Sequence, residues 1–132
     1  MLFNMEMKDM KKKEIAVVDD NHDTLLLLKT LLEKENYIVK TFSEPEPVYT
    51  MRENFPHLLL LDVNLGQENG HDLCGYLKKN PLTQHIPVIM YSAKPIERNS
   101  GAEVCFNKPF NLSELKNTIC QLIDRNVNVS FS

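Results

Sequence analysis

Cysteine is scarce in this sequence, and its three copies form no motif. Cys74, Cys105 and Cys120 lie far apart in a chain of 132 residues. An odd number of widely spaced cysteines argues against a disulfide framework and indicates a reducing compartment. Because the chain has no CxxC pair and no cluster of histidine and cysteine, nothing indicates a zinc site. We therefore expect a cytoplasmic protein without structural zinc.

Long apolar runs and an excess of charge of one sign are also missing. No stretch approaches the roughly 20 apolar residues that cross a bilayer, and the first dozen residues lack the apolar core of a signal peptide. The formal net charge is -3, with acidic and basic residues interspersed, so no field favours nucleic acid. We expect neither a membrane nor a nucleic-acid partner. The length suits one domain with a real core.

The strongest local pattern is a run of four leucines that ends in a carboxylate, residues 58–62. An unbroken apolar run of this length favours a strand that is covered on both faces. Asp62 would then lie at the carboxyl end of the strand, where ligand sites gather in open α/β sheets. Taken alone, Asp62 would be better interpreted as an ordinary turn or helix-cap residue.

Strand and helix patterns alternate along the rest of the chain, which predicts a parallel, doubly wound sheet. In the first predicted helix, Leu25, Leu28 and Leu32 share one face, and Leu27 and Leu31 are expected to widen it. The predicted strands are 14–18, 37–42, 58–62, 86–91 and 103–107, and the predicted helices are 22–35, 47–53, one between Gly70 and Pro81, and one capped by Asn111.

Polar residues follow four of the five predicted strands. In a parallel sheet these residues meet at one edge, and they are Asp19, Asp20, Asp62, Ser92 and Lys108. Three carboxylates beside one ammonium group raise each other's pKa or demand a cation. Mg²⁺ takes carboxylate, water and phosphate oxygens as ligands. The pattern therefore predicts a site that both a magnesium ion and a phosphoryl group complete.

The ordered set of these segments resembles the response-regulator receiver domain of two-component signalling. The matching segments are residues 17–20, residues 60–64 with Gly70, residues 86–93 and residues 108–110. The resemblance implies a flavodoxin-like fold with a five-stranded parallel sheet in the order 2-1-3-4-5. It covers residues 13–125 as the receiver domain, so residues 1–12 are expected to form a flexible arm and residues 126–132 a tail.

The resemblance also implies which residues hold magnesium. Asp62 is expected to accept a phosphoryl group from the phosphohistidine of a partner. The carboxylates of Asp20 and Asp62 and the main-chain carbonyl of Asn64 would bind Mg²⁺, and Asp19 would bind it through water.

Two further residues are expected to act on the phosphoryl group. By the same resemblance, the Ser92 hydroxyl and the Lys108 ammonium group would hold its oxygens, and the Lys108–Pro109 peptide bond would be cis. Phosphoryl transfer depends mainly on positioning and electrostatics, which these groups supply. Water can then attack the acyl phosphate, so slow self-dephosphorylation is expected. The chain is interpreted as a signalling domain with this chemistry of its own, and not as an enzyme.

Two departures from the family pattern affect how the domain would pass its signal to a partner. Sixteen positions separate Ser92 from Lys108, about six fewer than usual, or roughly one and a half helical turns. We therefore predict that the fourth helix is shortened or missing. Cys105 stands where receivers usually carry an inward-swinging Tyr or Phe, and strand alternation points Phe106 to the opposite face. The hypothesis is that activation here does not use the usual hydroxyl-aromatic switch.

These departures support one alternative, a receiver-like binding module that signals without phosphate. A phosphohydrolase of the haloacid dehalogenase type is disfavoured because Asn64 stands where a second acid would be needed. Since no DNA-binding or catalytic domain follows residue 125, signal output is expected either through a partner protein or by onward transfer of the phosphoryl group in a relay. The expected partners are a sensor histidine kinase or phosphotransfer protein and an unknown downstream protein, and the chain is expected to be a monomer or weak dimer.

Overall fold

The computed structural model describes residues 12–96 and 98–129. Within this part of the chain, strands and helices alternate, apart from one small hairpin and the direct step from β6 to β7. The elements are β1 (Glu14–Val18), α1 (His22–Lys34), β2 (Ile38–Phe42), α2 (Glu46–Tyr49), β3 (Leu58–Asp62), β4 (Asn64–Leu65), β5 (Glu68–Asn69), α3 (Gly70–Lys79), β6 (Val88–Ser92), β7 (Val104–Asn107) and α4 (Leu112–Val129).

Five of these strands form one parallel sheet in the order β2-β1-β3-β6-β7. β4 and β5 form a separate antiparallel hairpin beside it. When only the sheet strands are counted, the order is the predicted 2-1-3-4-5. The four leucines of β3 are at most 1% exposed, because β3 is the central strand and both sheet faces are covered. The predicted doubly wound fold is confirmed.

Each face of the sheet packs against its own set of helices. Leu28, Leu32 and Ile119 bring α1 and α4 onto one face, and Leu73 and Leu77 bring α3 onto the other. The alternation of side chains along each strand produces the two layers. Both sheet faces are therefore covered, and the carboxyl ends of the strands lead to the site.

Two predicted details of the helices are wrong. Leu27 is 55% exposed, because it lies about 100° around α1 from Leu28 and so leaves the buried face. Leu31, at the margin of that face, is half-buried as expected. The helix predicted at 47–53 is the single turn α2, which ends at Tyr49. The hydroxyl of the next residue, Thr50, donates back to the Glu46 carbonyl at 3.1 Å.

The connection from β6 to β7 contains no helix in its described residues, 93–96 and 98–103. This agrees with the prediction that the fourth helix of the family pattern is shortened or missing, and the fourth helix among the described elements is the C-terminal one. Glu103 fastens the end of the connection, since its carboxylate accepts from the Val88 amide at 2.7 Å and from Lys78 Nζ at 2.9 Å. Lys78 also donates to the Ile86 carbonyl at 2.7 Å.

Replacement of Lys78 by methionine is expected to destabilise the domain by about 1–3 kcal/mol. The change leaves the partly buried Glu103 carboxylate and the Ile86 carbonyl without this donor, and a lost charge-assisted hydrogen bond typically has that effect. The measurement is urea unfolding followed by circular dichroism. Lys79→Met is the matched control, because Lys79 is the exposed neighbour on α3 and should stay within about 0.5 kcal/mol of wild type. Equal midpoints for the two variants would contradict this role of Lys78.

The predicted domain limits remain predictions. Residues 1–11 of the expected arm and residues 130–132 of the expected tail lie outside the described residues. α4 runs to Val129, so its backbone continues past the limit placed at residue 125. Among the described residues, no helix combines the length and apolar character that crossing a membrane requires.

Candidate functional site

An open cleft of about 600 Å³ lies at the carboxyl edge of the sheet. Parallel strands bring their carboxyl ends to the same edge, so residues distant in the sequence meet there. The cleft is lined by all six residues that the sequence pointed to, namely Asp19, Asp20, Asp62, Asn64, Ser92 and Lys108. The hairpin of β4 and β5 supplies one wall through Asn64, Glu68 and Asn69.

Three carboxylates crowd the floor of this cleft. Asp19, Asp20 and Asp62 each offer one oxygen, and these oxygens lie within 4.8 Å of one another. Asp19 and Asp62 are 0% and 5% exposed, whereas Asp20 faces solvent. Carboxylate oxygens at this spacing, with an open side toward solvent, fit a hard divalent cation such as Mg²⁺. The donor set is therefore chemically suited to that ion.

Hydrogen bonds hold both oxygens of the Asp62 carboxylate. The backbone amide of Asn64 donates to Oδ1 at 3.0 Å, and Lys108 Nζ donates to Oδ2 at 3.2 Å. Burial raises the pKa of Asp62, the Asn64 amide opposes this, the Asp19 charge raises the pKa further, and Lys108 lowers it. The net direction is upward, because burial is the largest of these effects and the Asp19 charge adds to it.

Lys94 and Lys108 both line the cleft, and the Lys108 ammonium group contacts its carboxylates. Lys108 Nζ lies 3.2 Å from Asp62 and 3.8 Å from Asp19. The backbone amide of Lys108 donates to the Ser92 carbonyl at 2.8 Å, which ties the residue to the neighbouring strand end. The Lys108–Pro109 peptide bond is cis, as the resemblance implied. Lys108 therefore sits where it can contact both carboxylates and any anion above them.

Ser92 lies at the end of the strand next to β3 and lines the cleft. It is the last residue of β6 and is 5% exposed. Its hydroxyl oxygen accepts from the Lys94 amide at 3.0 Å, and a hydroxyl that accepts one hydrogen bond can still donate another. The hydroxyl is thus available to an oxygen of a ligand in the cleft.

Sequence reasoning missed one residue that contacts this group. Tyr91 is 1% exposed, and its hydroxyl donates to Asp19 Oδ2 at 2.8 Å. The sequence does contain a signal for this contact, since a tyrosine within an apolar strand needs a hydrogen-bond partner for its hydroxyl. The strand that carries Ser92 therefore carries a second polar group directed at the acidic cluster.

Cys105 and Phe106 lie on opposite faces of the sheet, as strand alternation predicted. Cys105 packs against the cluster around α3, and Phe106 packs against the cluster formed with α1 and α4. The cysteine therefore faces the α3 layer, at the position where the resemblance to receivers leads one to expect an aromatic residue. Phe106 is on the wrong side of the sheet to replace that residue.

Comparison with known sequences identifies relatives over most of the chain. Residues 15–120 match the response regulator receiver domain. Protein RcaC of Microchaete diplosiphon is 33% identical over 119 residues, which are 85% of this chain and 18% of RcaC. The polar-differentiation response regulator DivK of Brucella ovis is 30% identical over 114 residues, which are 81% of this chain and 93% of DivK.

Solved structures agree with the sequence relatives. A CheY-like receiver domain protein from Methanospirillum hungatei JF-1 has a TM-score of 0.81 and 26% identity, with 89% of this chain and 98% of that chain covered. Response regulator TrrA of Thermotoga maritima, solved in complex with Mg(2+)-BeF, has a TM-score of 0.74 and 27% identity, with 83% and 98% covered. The strand order, the residues at the carboxyl edge and the match over residues 15–120 lead to one conclusion: this chain belongs to the response regulator receiver domain family.

Proposed function

We propose that Asp62 accepts a phosphoryl group from a sensor histidine kinase or phosphotransfer protein in a reaction that requires Mg²⁺. The observation that carries the proposal is the contact of Asp62 with Lys108 at 3.2 Å inside a cluster of three carboxylates. One ammonium group cannot balance that charge, whereas a divalent cation can. In the same proposal, the domain signals through protein–protein contacts, and its compartment is the cytoplasm, in keeping with three free cysteines.

The transfer replaces one bond to phosphorus with another. The bond between phosphorus and the donor's histidine nitrogen breaks, and a bond to an Asp62 carboxylate oxygen forms. Asp62 is held on both oxygens, by the Asn64 amide and by Lys108, so its direction of approach is set before the donor arrives. Lys108 and Ser92 then bind phosphoryl oxygens, which neutralises and orients the group.

Magnesium would be held by the acidic cluster. Asp20 and Asp62 would supply carboxylate oxygens, Asn64 its main-chain carbonyl, and Asp19 a contact through water. Bound Mg²⁺ supplies positive charge to the phosphoryl oxygens during transfer. The side of the cleft that opens to solvent admits the phosphodonor and, later, the water that removes the phosphoryl group from Asp62.

The direct test is incubation with phosphoramidate and Mg²⁺ followed by intact-mass measurement. The expected result is a mass gain of one phosphoryl group, which fades with time after the donor is removed and does not form in the presence of EDTA. Peptide mapping should place the modification in β3. A protein that gains no mass under these conditions, while it remains folded by circular dichroism, would contradict the proposal.

Magnesium is also expected to stabilise the fold. At a Mg²⁺ concentration of 100 times its dissociation constant, the free energy of unfolding should rise by about 2.7 kcal/mol. Asp62→Asn should lose most of this gain, and without Mg²⁺ it should be more stable than wild type at neutral pH. Burial raises the pKa of Asp62, so ionised Asp62 destabilises the metal-free fold, and the advantage of the variant should shrink as the pH falls through that pKa.

Urea unfolding with Mg²⁺, or with Na⁺ at equal ionic strength, measures this effect. The sodium control separates specific binding from general screening of surface charge. If both salts stabilise wild type and Asp62→Asn equally, magnesium does not bind at this cluster.

A second candidate function is a receiver-like module that signals without phosphate. Residues 93–96 and 98–103, between β6 and β7, contain no helix, and this feature and the position of Cys105 favour it, since both alter the surface and the relay that other receivers use. The phosphoramidate experiment distinguishes the two functions. A folded chain that binds its partner equally well before and after exposure to phosphoramidate would favour this second function.

A further inference from the structure

Tyr91 occupies a buried position beside the phosphoacceptor strand. It pairs with Asp62 of β3 on one side and with Phe106 of β7 on the other. The side chain is 1% exposed, and its ring lies 5.5 Å from that of Phe110 between centroids. Packing alone would therefore be satisfied by phenylalanine, so the hydroxyl requires a separate explanation.

The hydroxyl completes the set of hydrogen bonds that orient Asp19. Tyr91 donates to Asp19 Oδ2 at 2.8 Å, and the Asn21 amide donates to Oδ1 at 2.9 Å. Because Asp19 is 0% exposed, water does not replace either donor readily. Two donors on different oxygens leave the carboxylate little freedom to rotate.

The ring of Tyr91 also contacts the Lys108 ammonium group. Lys108 Nζ lies 5.0 Å from the ring centroid, within the range of an attractive cation–π contact. The same ammonium group lies 3.8 Å from Asp19 and 3.2 Å from Asp62. Lys108 is thus placed between two carboxylates that compete for it, and Tyr91 contacts both Lys108 and Asp19.

We propose that Tyr91 is a positioning residue of the phosphoryl-accepting site, which holds Asp19 ready for magnesium and keeps Lys108 directed at Asp62. The inference rests on the proposed function. When the tyrosine hydroxyl occupies Asp19 Oδ2, Asp19 needs Lys108 less, and Lys108 stays closer to Asp62. Without the hydroxyl, the buried Asp19 carboxylate would pair with Lys108 instead. The ammonium group would then move away from Asp62, and its positive charge would oppose magnesium binding.

Tyr91→Phe tests the hydroxyl while it keeps the ring. Calorimetric titration is expected to show Mg²⁺ binding about tenfold weaker than in wild type, the scale seen when a group that orients a metal ligand is removed. Phe106→Leu is the control, because Phe106 belongs to the same aromatic cluster and its packing change should leave the Mg²⁺ dissociation constant unchanged. A residue that only fills the core would lower the stability in Tyr91→Phe without changing Mg²⁺ affinity.

A second measurement uses the wild-type chain, so it does not depend on how Tyr91→Phe folds. The measurement is NMR of the chain with tyrosine carrying carbon-13 at the ring carbon that bears the hydroxyl. The chain has four tyrosines, and each gives one resonance. Tyr37→Phe, Tyr49→Phe and Tyr76→Phe assign three of them, which leaves Tyr91 by elimination. The Tyr91 resonance alone is expected to shift during a Mg²⁺ titration.

The outcomes separate the two proposals. If wild type binds Mg²⁺ and becomes phosphorylated, but Tyr91→Phe binds Mg²⁺ equally well or the Tyr91 resonance does not respond, the role of Tyr91 is overturned and the proposed function stands. If wild type takes up neither Mg²⁺ nor phosphate, the proposed function fails and this inference fails with it.

Discussion

Asp62→Asn should abolish phosphorylation of the chain by phosphoramidate at any Mg²⁺ concentration. The amide of asparagine has nearly the shape of the carboxylate but cannot act as the nucleophile toward phosphorus. The variant should keep the hydrogen bond from the Asn64 amide to Oδ1, which is 3.0 Å long in wild type, so the loop after β3 is expected to remain in place. The loss would therefore reflect chemistry and not unfolding.

The readout is intact-mass spectrometry over a time course with phosphoramidate and Mg²⁺. Asp72→Asn is the matched control, since Asp72 is an exposed carboxylate in the first turn of α3 and should be phosphorylated like wild type. Uptake by Asp62→Asn at a rate near that of the control would show that another group accepts the phosphoryl group. Circular dichroism of both variants checks that the comparison is between folded proteins.

The second large effect is expected on stability, from Gly70→Ala. A Cβ at this position would lie 2.3 Å from the Asp62 carbonyl oxygen and 2.9 Å from Val63 Cα. Both are backbone atoms, and the Gly70 amide is itself bonded to the Val63 carbonyl at 2.7 Å. Neither side can move aside without breaking the end of β3 or the start of α3. We expect a loss of about 3 kcal/mol or more, at the upper end of the range for an overpacked site.

Gly75→Ala provides the matched control in the same helix. A Cβ on Gly75 would meet nothing within 4 Å, so alanine should instead stabilise α3 by about 0.5–1 kcal/mol through helix propensity. Urea unfolding of the two variants should give midpoints on opposite sides of wild type. If Gly70→Ala is as stable as wild type, the backbone of α3 does not approach the end of β3 as closely as described above.

The Gly70 contact also links the fold to the site. The backbone that an added Cβ would displace carries Asp62, whose carboxylate must face Lys108 and the other acids. Gly70→Ala should therefore lose phosphorylation even under conditions where it remains folded, because small displacements of a reacting group have large effects on rate. Gly75→Ala should be phosphorylated at the wild-type rate.

Periodicity located the strands better than the helices. The run of leucines identified β3 to the residue, because a strand covered on both faces needs apolar side chains at every position. Leu27 was assigned to the buried face of α1 and is exposed, because leucines at adjacent positions cannot all lie within one narrow face of a helix. α2 was predicted too long, since nothing local in the sequence indicated that its helix would stop after one turn.

Some features of the site could be predicted from the sequence, and others could not. The positions of Asp19, Asp62, Ser92 and Lys108 at strand ends could be predicted, because parallel strands share one carboxyl edge. The contact of Tyr91 with Asp19 joins residues 72 positions apart, and no local pattern reports such a pair. The bridge from Lys78 to Glu103 was missed for the same reason.

The sequence by itself determined the alternation of strands and helices, the family and the groups that gather at one edge, because these depend on periodicity and on the order of motifs along the chain. Only the tertiary structure decided which oxygen of Asp62 meets Lys108, which hydroxyl holds Asp19, and why position 70 has no room for a side chain. Those features depend on distances of about 3 Å between residues far apart in the chain, and only the packing of the two layers on the sheet sets such distances.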